Sequence, residues 1–547
     1  MTLPGLMQPT PLTLRSIFDR MRTIYPDGEV VSVSGSVAAG DRTVVRHSYG
    51  ELAERVLRLC RVLGDMGVQP GDRVASFGFN SHRHFELYWA APLMGAVLHT
   101  VNVRLYGEQI AYITNHAADR LVFFDGTLAD ALIEVAPSLE TVQAYIRWGD
   151  GSDGGLDPVH DYEVLLGKAD PLSVEELPVV GEDAACGLCY TSGTTGMPKG
   201  VLSSHRGMWL HSMATCMVDA IGISERDRVL PVVPMFHAFG WGLPYSAPFT
   251  GAELVFHGSD TSPEAIGAAI QDEKVTLAAG VPTIWKELLP RLRNEEVDYS
   301  TLRTVFVGGS ASPRALIEAY QELGVDYLQV WGMTETGPLA CASRPRHRHS
   351  GLDPEALLDV QEKTGTIMSG LEARIVDPDG TEQPWDGESV GELEVRGPWI
   401  ASGYYENPEF TEQRFHDGWL RTGDMAWMEA DGYFKIVDRA KDLVKSGGEW
   451  ISSVELEGAL LAHPAVADAA VVGCHSQKWD ERPVAAIVVA AGAEPPSLEE
   501  VREFLAPKFA KWWLPDEVVV VDEIPKTSVG KLDKKVLRTQ LDHVRLP

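Results

Sequence analysis

Short apolar runs alternate with helix-length amphipathic stretches along most of the chain. Positions 13–67 read as helices around a short hairpin, and 73–102 as strand, helix and strand. Further strands are expected at 122–125 and 144–148, and the apolar run 184–190 leads directly into a glycine- and hydroxyl-rich decamer. Apolar runs at 254–256, 277–279, 304–307 and 327–330 are separated by helical patterns. This rhythm predicts α/β layers with parallel strands. After Gly365 the texture changes: 373–376, 391–395 and 433–436 are spaced by Asp/Gly/Pro turns such as 377–380, as in antiparallel strands. A smaller α+β unit follows, with helices at 453–462 and 497–509 and strands at 466–473, 484–490 and 517–521. The expected fold is therefore α/β: a large N-terminal domain (1–437) of layered α/β subdomains with a β-barrel-like part, then a short connection (438–441) and a small α+β C-terminal domain (442–547).

Composition narrows this picture. A chain of 547 residues is too long for one core. A formal net charge of −31 disfavours nucleic acid or an anionic membrane as main partner. Six cysteines fit a reducing cytoplasm, and positions 1–12 lack the features of a signal peptide, so a cytoplasmic location is expected. Positions 229–252 contain no Asp, Glu, Lys or Arg, yet Pro231, Pro234, Pro244 and Pro248 argue against a membrane-spanning helix there. No membrane span is expected; a buried strand-and-loop segment is. Cys186 and Cys189 form a C-x-x-C without a second pair at zinc spacing, which reads as core packing.

Candidate chemistry begins at 191–200, Thr-Ser-Gly-Thr-Thr-Gly-Met-Pro-Lys-Gly. Gly193, Gly196 and Gly200 allow tight bends that turn N–H groups inward. Thr191, Ser192, Thr194 and Thr195 add hydroxyls, and Lys199 adds a positive charge. That set suits a polyphosphate, although the order is not that of a Walker A loop. Five further segments stand out: Trp-Gly-Met-Thr-Glu-Thr at 331–336, Val-Gly-Gly-Ser-Ala at 307–311, Pro-Met-Phe-His at 234–237, Arg-Thr-Gly-Asp at 421–424 and Pro-Lys-Thr-Ser-Val-Gly-Lys at 525–531. A sixth, at 438–452, runs Asp-Arg-Ala-Lys-Asp-Leu-Val-Lys-Ser-Gly-Gly-Glu-Trp-Ile-Ser.

In this order the segments resemble the signatures of the adenylate-forming enzymes: acyl- and aryl-CoA synthetases, peptide-synthetase adenylation domains and firefly-luciferase-type enzymes. The chain resembles bacterial fatty acyl-CoA synthetases and 3-methylmercaptopropionate–CoA ligases in particular. The resemblance implies ATP, Mg2+ and coenzyme A. A carboxylate has no good leaving group; attack on the α-phosphate of ATP makes AMP the leaving group, and a thiol then takes the acyl group. Holding two anions together demands local positive charge, a metal and a dry site.

By the same resemblance, Thr191 and Glu335 hold the metal, a hard cation suited to oxygen ligands. Gly309, Ser310 and Ala311 lie along the adenine, Trp331 stacks on it, Gly332 and Met333 belong to the nucleotide site, and Thr334 meets phosphate. Asp424 accepts from the ribose diol, and Arg439 reaches ribose or phosphate. Lys441 is the pivot about which the small domain swings, with Lys445 and Trp450 near the nucleotide or tunnel mouth. Ser446, Gly447 and Gly448 line the pantetheine tunnel. Lys531 is the catalytic lysine of adenylation, acting with His237 and Glu335. His237, Phe239, Trp241, Gly308, Met333 and Pro338 surround the acyl group. Histidine at 237, where amino-acid-activating relatives carry Asp, disfavours an α-amino acid. The implied reaction makes an acyl-CoA from a short-to-medium-chain acid, 3-methylmercaptopropionate included. Trp241 either closes a short pocket or gates a long one, so a long-chain acid stays open. So do carrier-protein loading, an oxygenase and a non-catalytic nucleotide-binding module. The basic run Arg344–His349 is either a solvated loop or an attractor for CoA phosphates. A homodimer is expected from the resemblance.

Overall fold

The computed structural model describes residues 3, 5–191, 197–446, 449–476, 478–526, 532–541, 543, 544 and 546. Two large sheets carry the N-terminal part. The first is seven-stranded, in the order Val159–Asp161, Ala144–Trp148, Asp119–Asp125, Arg73–Phe77, Val97–Thr100, Ala185–Tyr190, Gly200–Ser204. Its pairings are parallel except the last, where Ala185–Tyr190 and Gly200–Ser204 form an antiparallel pair that brackets the decamer.

The second sheet is 14-stranded. Its parallel half runs through Glu29–Ser34, Glu253–Phe256, Arg228–Pro231, Leu277–Gly280, Thr304–Val307 and Asp326–Gly332. These strands are buried, as parallel strands covered on both faces should be. From Asp326–Gly332 the sheet continues as antiparallel strands: Leu339–Ala342, Gly365–Ile367, Tyr433–Arg439, Trp419–Met428, Gly391–Arg396 and Glu372–Val376. The antiparallel texture read after Gly365 is thus joined edge to edge onto the parallel layer. The junction strand extends beyond the expected 327–330 and ends in a register shift between Trp331 and Gly332. A Cβ on Gly332 would come within 2.0 Å of the Pro338 carbonyl oxygen, so the chain can fold back there only on glycine.

Helix His82–Leu93 touches strands of both large sheets and is buried nearly all round. The charge-free stretch at 229–252 forms a strand, a short turn and the eight-residue helix Leu243–Thr250. The prolines do not prevent that helix: Pro244 sits in the first turn, where a missing N–H costs nothing. No helix among the described residues is long and apolar enough to cross a membrane.

The basic run has a structural use. Arg344 donates to the carbonyls of Ala220 and Ile221 at 2.8 and 3.1 Å. Arg346 donates to Asp431 O at 2.7 Å and lies over the Tyr433 ring, and Arg348 pairs with Asp431 at 2.5 Å. These guanidiniums fasten neighbouring segments together.

The C-terminal unit is a five-stranded sheet that includes Val444–Ser446, Asp480–Val489 and Val466–Ser476, with helices Ser453–Leu460 and Leu498–Leu505. The chain enters it through strand Tyr433–Arg439, in which Asp438 pairs with Met425 and Arg439 with Asp424. Asp438 and Arg439 are therefore ladder residues, and the chain turns at 440–442. Asp438 also caps the next helix, accepting from Ser453 N at 2.7 Å. Lys534 joins this buried cluster, at 2.6 Å from Ser453 Oγ and 2.7 Å from Glu457 Oε1. Burial pushes the Glu457 carboxyl up to about 7.

Candidate active site

The decamer is a connection between antiparallel strands. Its base is closed by Thr191 N donating to Lys199 O at 2.9 Å and Lys199 N donating to Thr191 Oγ1 at 3.3 Å. Ser192, Gly193, Thr194, Thr195 and Gly196 lie outside the described residues, as do Gly447, Gly448 and Lys531. Lys199 is half-buried, with its ammonium 3.9 Å from the centroid of the Phe410 ring. Burial lowers the pKa of that ammonium, and the nearby Glu335 carboxylate works against the shift.

Glu335 follows the strand that carries Trp331. It is buried, and Tyr404 donates its hydroxyl to Glu335 Oε1 at 2.5 Å. The buried Glu335 carboxylate, which acts on the Lys199 ammonium, and the Thr191 hydroxyl are oxygen donors of the type a hard cation such as Mg2+ would take.

Three sequence segments meet at Asp424. Trp331 Nε1 donates to Asp424 Oδ2 at 3.0 Å, and Arg439 pairs with Asp424 Oδ1 at 2.6 Å. The ladder places Arg439 opposite Asp424, and the Trp331 ring meets Phe434 edge-on. Glu392 anchors residues 421–424 of strand Trp419–Met428 through Arg421 and through Gly423 N at 3.0 Å.

The segment after His237, expected to face the acyl group, is a left-handed turn. Ala238, Phe239, Gly240, Trp241 and Gly242 all have positive φ. For Ala238, Phe239 and Trp241 this costs about 1–2 kcal/mol each. Packing holds the turn in place. Phe239 lies on Gly187, where a Cβ would come within 2.1 Å of the ring, and its centroid is 5.1 Å from that of Tyr88. Trp241 is buried, 6.4 Å centroid to centroid from Phe306; a Cβ on Gly308 would be 3.2 Å from the indole. The approach to His237 is fixed by Asn80, which donates to the carbonyls of Pro231 and Val233 at 2.9 Å and accepts from Met235 N at 2.7 Å. Tyr88 donates to Met235 O at 2.5 Å. Gly309 takes φ +93° and exposes Ser310 and Ala311. Thr336 fixes the next loop, accepting from Met333 N at 2.8 Å and donating to Pro338 O at 2.6 Å.

On the small-domain side, Lys445 and Trp450 face each other across a strand pair, with the ammonium 4.9 Å from the indole centroid. Lys441 is exposed, and its carbonyl accepts from Arg538 at 3.1 Å. Ser446 is buried and accepts from Arg482 at 2.8 Å. A groove of about 600 Å³ beside Arg20, Trp209 and Phe249 contains none of these groups, so its size does not make it the site.

Asn80, Tyr88, Gly187, Tyr404 and Phe410 were not singled out from the sequence as parts of the site. None lies in a motif, and each contributes through a contact with a residue distant in the chain. The positional signal available was weak: Tyr404 and Phe410 lie in an aromatic-rich stretch ahead of the Arg-Thr-Gly-Asp motif at 421–424.

This fold and site define an AMP-binding enzyme. Residues 25–405 match the AMP-binding enzyme family and residues 455–531 match the AMP-binding enzyme C-terminal domain, so the chain belongs to that family. It is 44% identical to the long-chain-fatty-acid–CoA ligase of Thermus thermophilus, over 98% of this chain and 97% of that one. It is 42% identical to the 3-methylmercaptopropionyl-CoA ligase of Ruegeria lacuscaerulensis, over 98% of both. Among solved structures, ATP-bound MatB from Rhodopseudomonas palustris superposes with a TM-score of 0.81 at 28% identity, covering 98% of this chain and 99% of that one.

Proposed function

We propose that the protein is an acyl-CoA synthetase that activates a carboxylic acid with ATP and passes the acyl group to CoA, releasing AMP and pyrophosphate. The observation that carries this reading is the meeting of Trp331, Asp424 and Arg439, from three separate motifs, at one carboxylate. Asp424 retains acceptor capacity for a ribose diol, because a carboxylate offers about four lone-pair sites. Trp331, Gly309, Ser310 and Ala311 bound the adenine side. Thr191 and Lys199, with the loop between them, take the phosphates. Glu335 and Thr191 hold Mg2+, which supplies charge neutralisation at the phosphates when bound. His237 orients the acid's carboxylate toward the α-phosphate, and Lys531 completes the adenylation site when the small domain closes about Lys441. Ser446 to Gly448 border the CoA path after the domain turns.

The buried indole of Trp241 against Gly308 supports a pocket for short-to-medium acids, 3-methylmercaptopropionate among them. The strained turn that bears it favours a second reading, in which the indole moves aside for a longer chain. We assign the reaction to a cytoplasmic homodimer on resemblance; light scattering tests the dimer. The deciding experiment is a panel of acids from short to long chain, with 3-methylmercaptopropionate and aryl acids, followed by pyrophosphate release and CoA consumption. Acid-dependent release of both signals is expected. Pyrophosphate release without CoA consumption, with acyl transfer only to a phosphopantetheinyl protein, overturns the CoA assignment.

A further inference from the structure

Lys199 and Glu335 are opposite charges close enough for the Glu335 carboxylate to act on the Lys199 ammonium. Nevertheless they form no ion pair among the described residues. Each is held by an aromatic side chain of the same short segment: Phe410 lies under the ammonium at 3.9 Å and Tyr404 donates to the carboxylate at 2.5 Å. The two rings pack on each other with centroids 5.3 Å apart. The segment is itself tied to the loop base, because Tyr405 N donates to Gly200 O at 2.8 Å, and to Glu335, because Ala401 N donates to Glu335 O at 2.8 Å.

We propose that Tyr404 and Phe410 are positioning residues that keep Lys199 and Glu335 apart, so that the polyphosphate meets an unneutralised cation and the metal meets an unneutralised carboxylate. The proposal rests on the adenylation reading above. An ammonium over an aromatic face keeps its charge, because the ring attracts it without a counter-charge. A phenol hydroxyl likewise fixes a carboxylate without neutralising it. If either aromatic group is lost, nothing on the segment prevents the ammonium and carboxylate from closing into an ion pair. That pair must be broken before nucleotide and metal can enter. Arg414 is the other charged group here; it opposes protonation of Lys199, while burial and Glu335 keep the Tyr404 phenol protonated despite it. In an acidic protein, such separation keeps positive charge available where an anionic substrate binds.

The test uses full-length Tyr404→Phe, Phe410→Leu and Phe410→Trp. Calorimetry measures ATP affinity with and without Mg2+; Mn2+ binding to the nucleotide complex is read by electron paramagnetic resonance. Steady-state pyrophosphate release gives KM for ATP and kcat. Expected are a rise of about tenfold in ATP Kd and KM for Phe410→Leu, and a similar weakening of Mn2+ binding for Tyr404→Phe. Phe410→Trp is expected to restore ATP affinity, since indole is the better cation partner. Unchanged ATP and Mn2+ affinities, or a Phe410→Trp variant as impaired as Phe410→Leu, overturn the proposal. Absence of acid-dependent pyrophosphate release by the unmodified protein overturns the adenylation reading instead.

Discussion

Trp331 donates its indole N–H to the Asp424 carboxylate across 3.0 Å, joining positions 93 residues apart in the chain. Asp424 also pairs with Arg439 through its other oxygen, so both oxygens are held by groups of the large sheet. In this role Trp331 acts through its N–H as well as through its ring. Replacing Trp331 with Phe keeps an aromatic plane but removes the donor. Loss of one hydrogen bond to a charged group is worth about 1.5–3 kcal/mol. We expect KM for ATP to rise about tenfold or more, with the melting temperature little changed. ATP-dependence curves of the two proteins check this; an unchanged KM would show that the indole N–H plays no part in nucleotide binding.

Trp241 provides the size test. Trp241→Gly removes the indole from beside Gly308 and also relieves a positive φ of 50°. The ratio of kcat/KM for long over short acids should rise at least about tenfold, since each methylene accommodated in an apolar pocket is worth about 1–3 kcal/mol. Competition between acids of two lengths measures the ratio directly. A uniform loss for all acids would assign Trp241 to folding of the turn.

Lys531→Ala should abolish pyrophosphate release while leaving thioester formation from supplied acyl-adenylate near normal. Measuring the two half-reactions separately distinguishes this from a general loss of activity. Near-normal pyrophosphate release would remove Lys531 from the mechanism.

Acid stability follows from buried imidazoles. Burial lowers the pKa values of His84, His205 and His257 to about 4 and of His211 to about 3, against an ordinary 6.5. A lowered folded pKa means the unfolded chain binds the proton first. The stability these groups contribute is present above pH 6.5 and is lost as pH falls through 4 to 3. Each group can remove up to about 1.4 kcal/mol per pH unit over its window. Thermal unfolding followed from pH 7 to pH 4 should therefore show a steep fall accompanied by proton uptake on unfolding. Glu457 runs the other way: its raised pKa contributes stability below pH 4.5 that is lost as pH rises through about 7. Glu457→Gln should flatten that limb.

Much of the architecture was legible in the chain. The expected strand at 304–307 is Thr304–Val307, and the one at 144–148 is Ala144–Trp148. The expected helix and hairpin order within 13–67 is Leu14–Ile24, the pair Glu29–Ser34 and Thr43–Ser48, then Tyr49–Asp65. Apolar periodicity and turn residues act over a few positions, so they can be read locally. The motifs are local in the same sense: glycines, hydroxyls and a lysine within ten residues suggest a phosphate site without reference to the rest of the fold. Tertiary structure decided the relations among distant groups. It set Arg439 opposite Asp424, fixed Phe239 on Gly187, and placed Phe410 beneath Lys199 with Tyr404 on Glu335. It also turned the basic run into internal fastenings. These contacts depend on sheet register and on packing that holds a left-handed turn against its own conformational cost. No pattern along the chain encodes those separately from the folded whole.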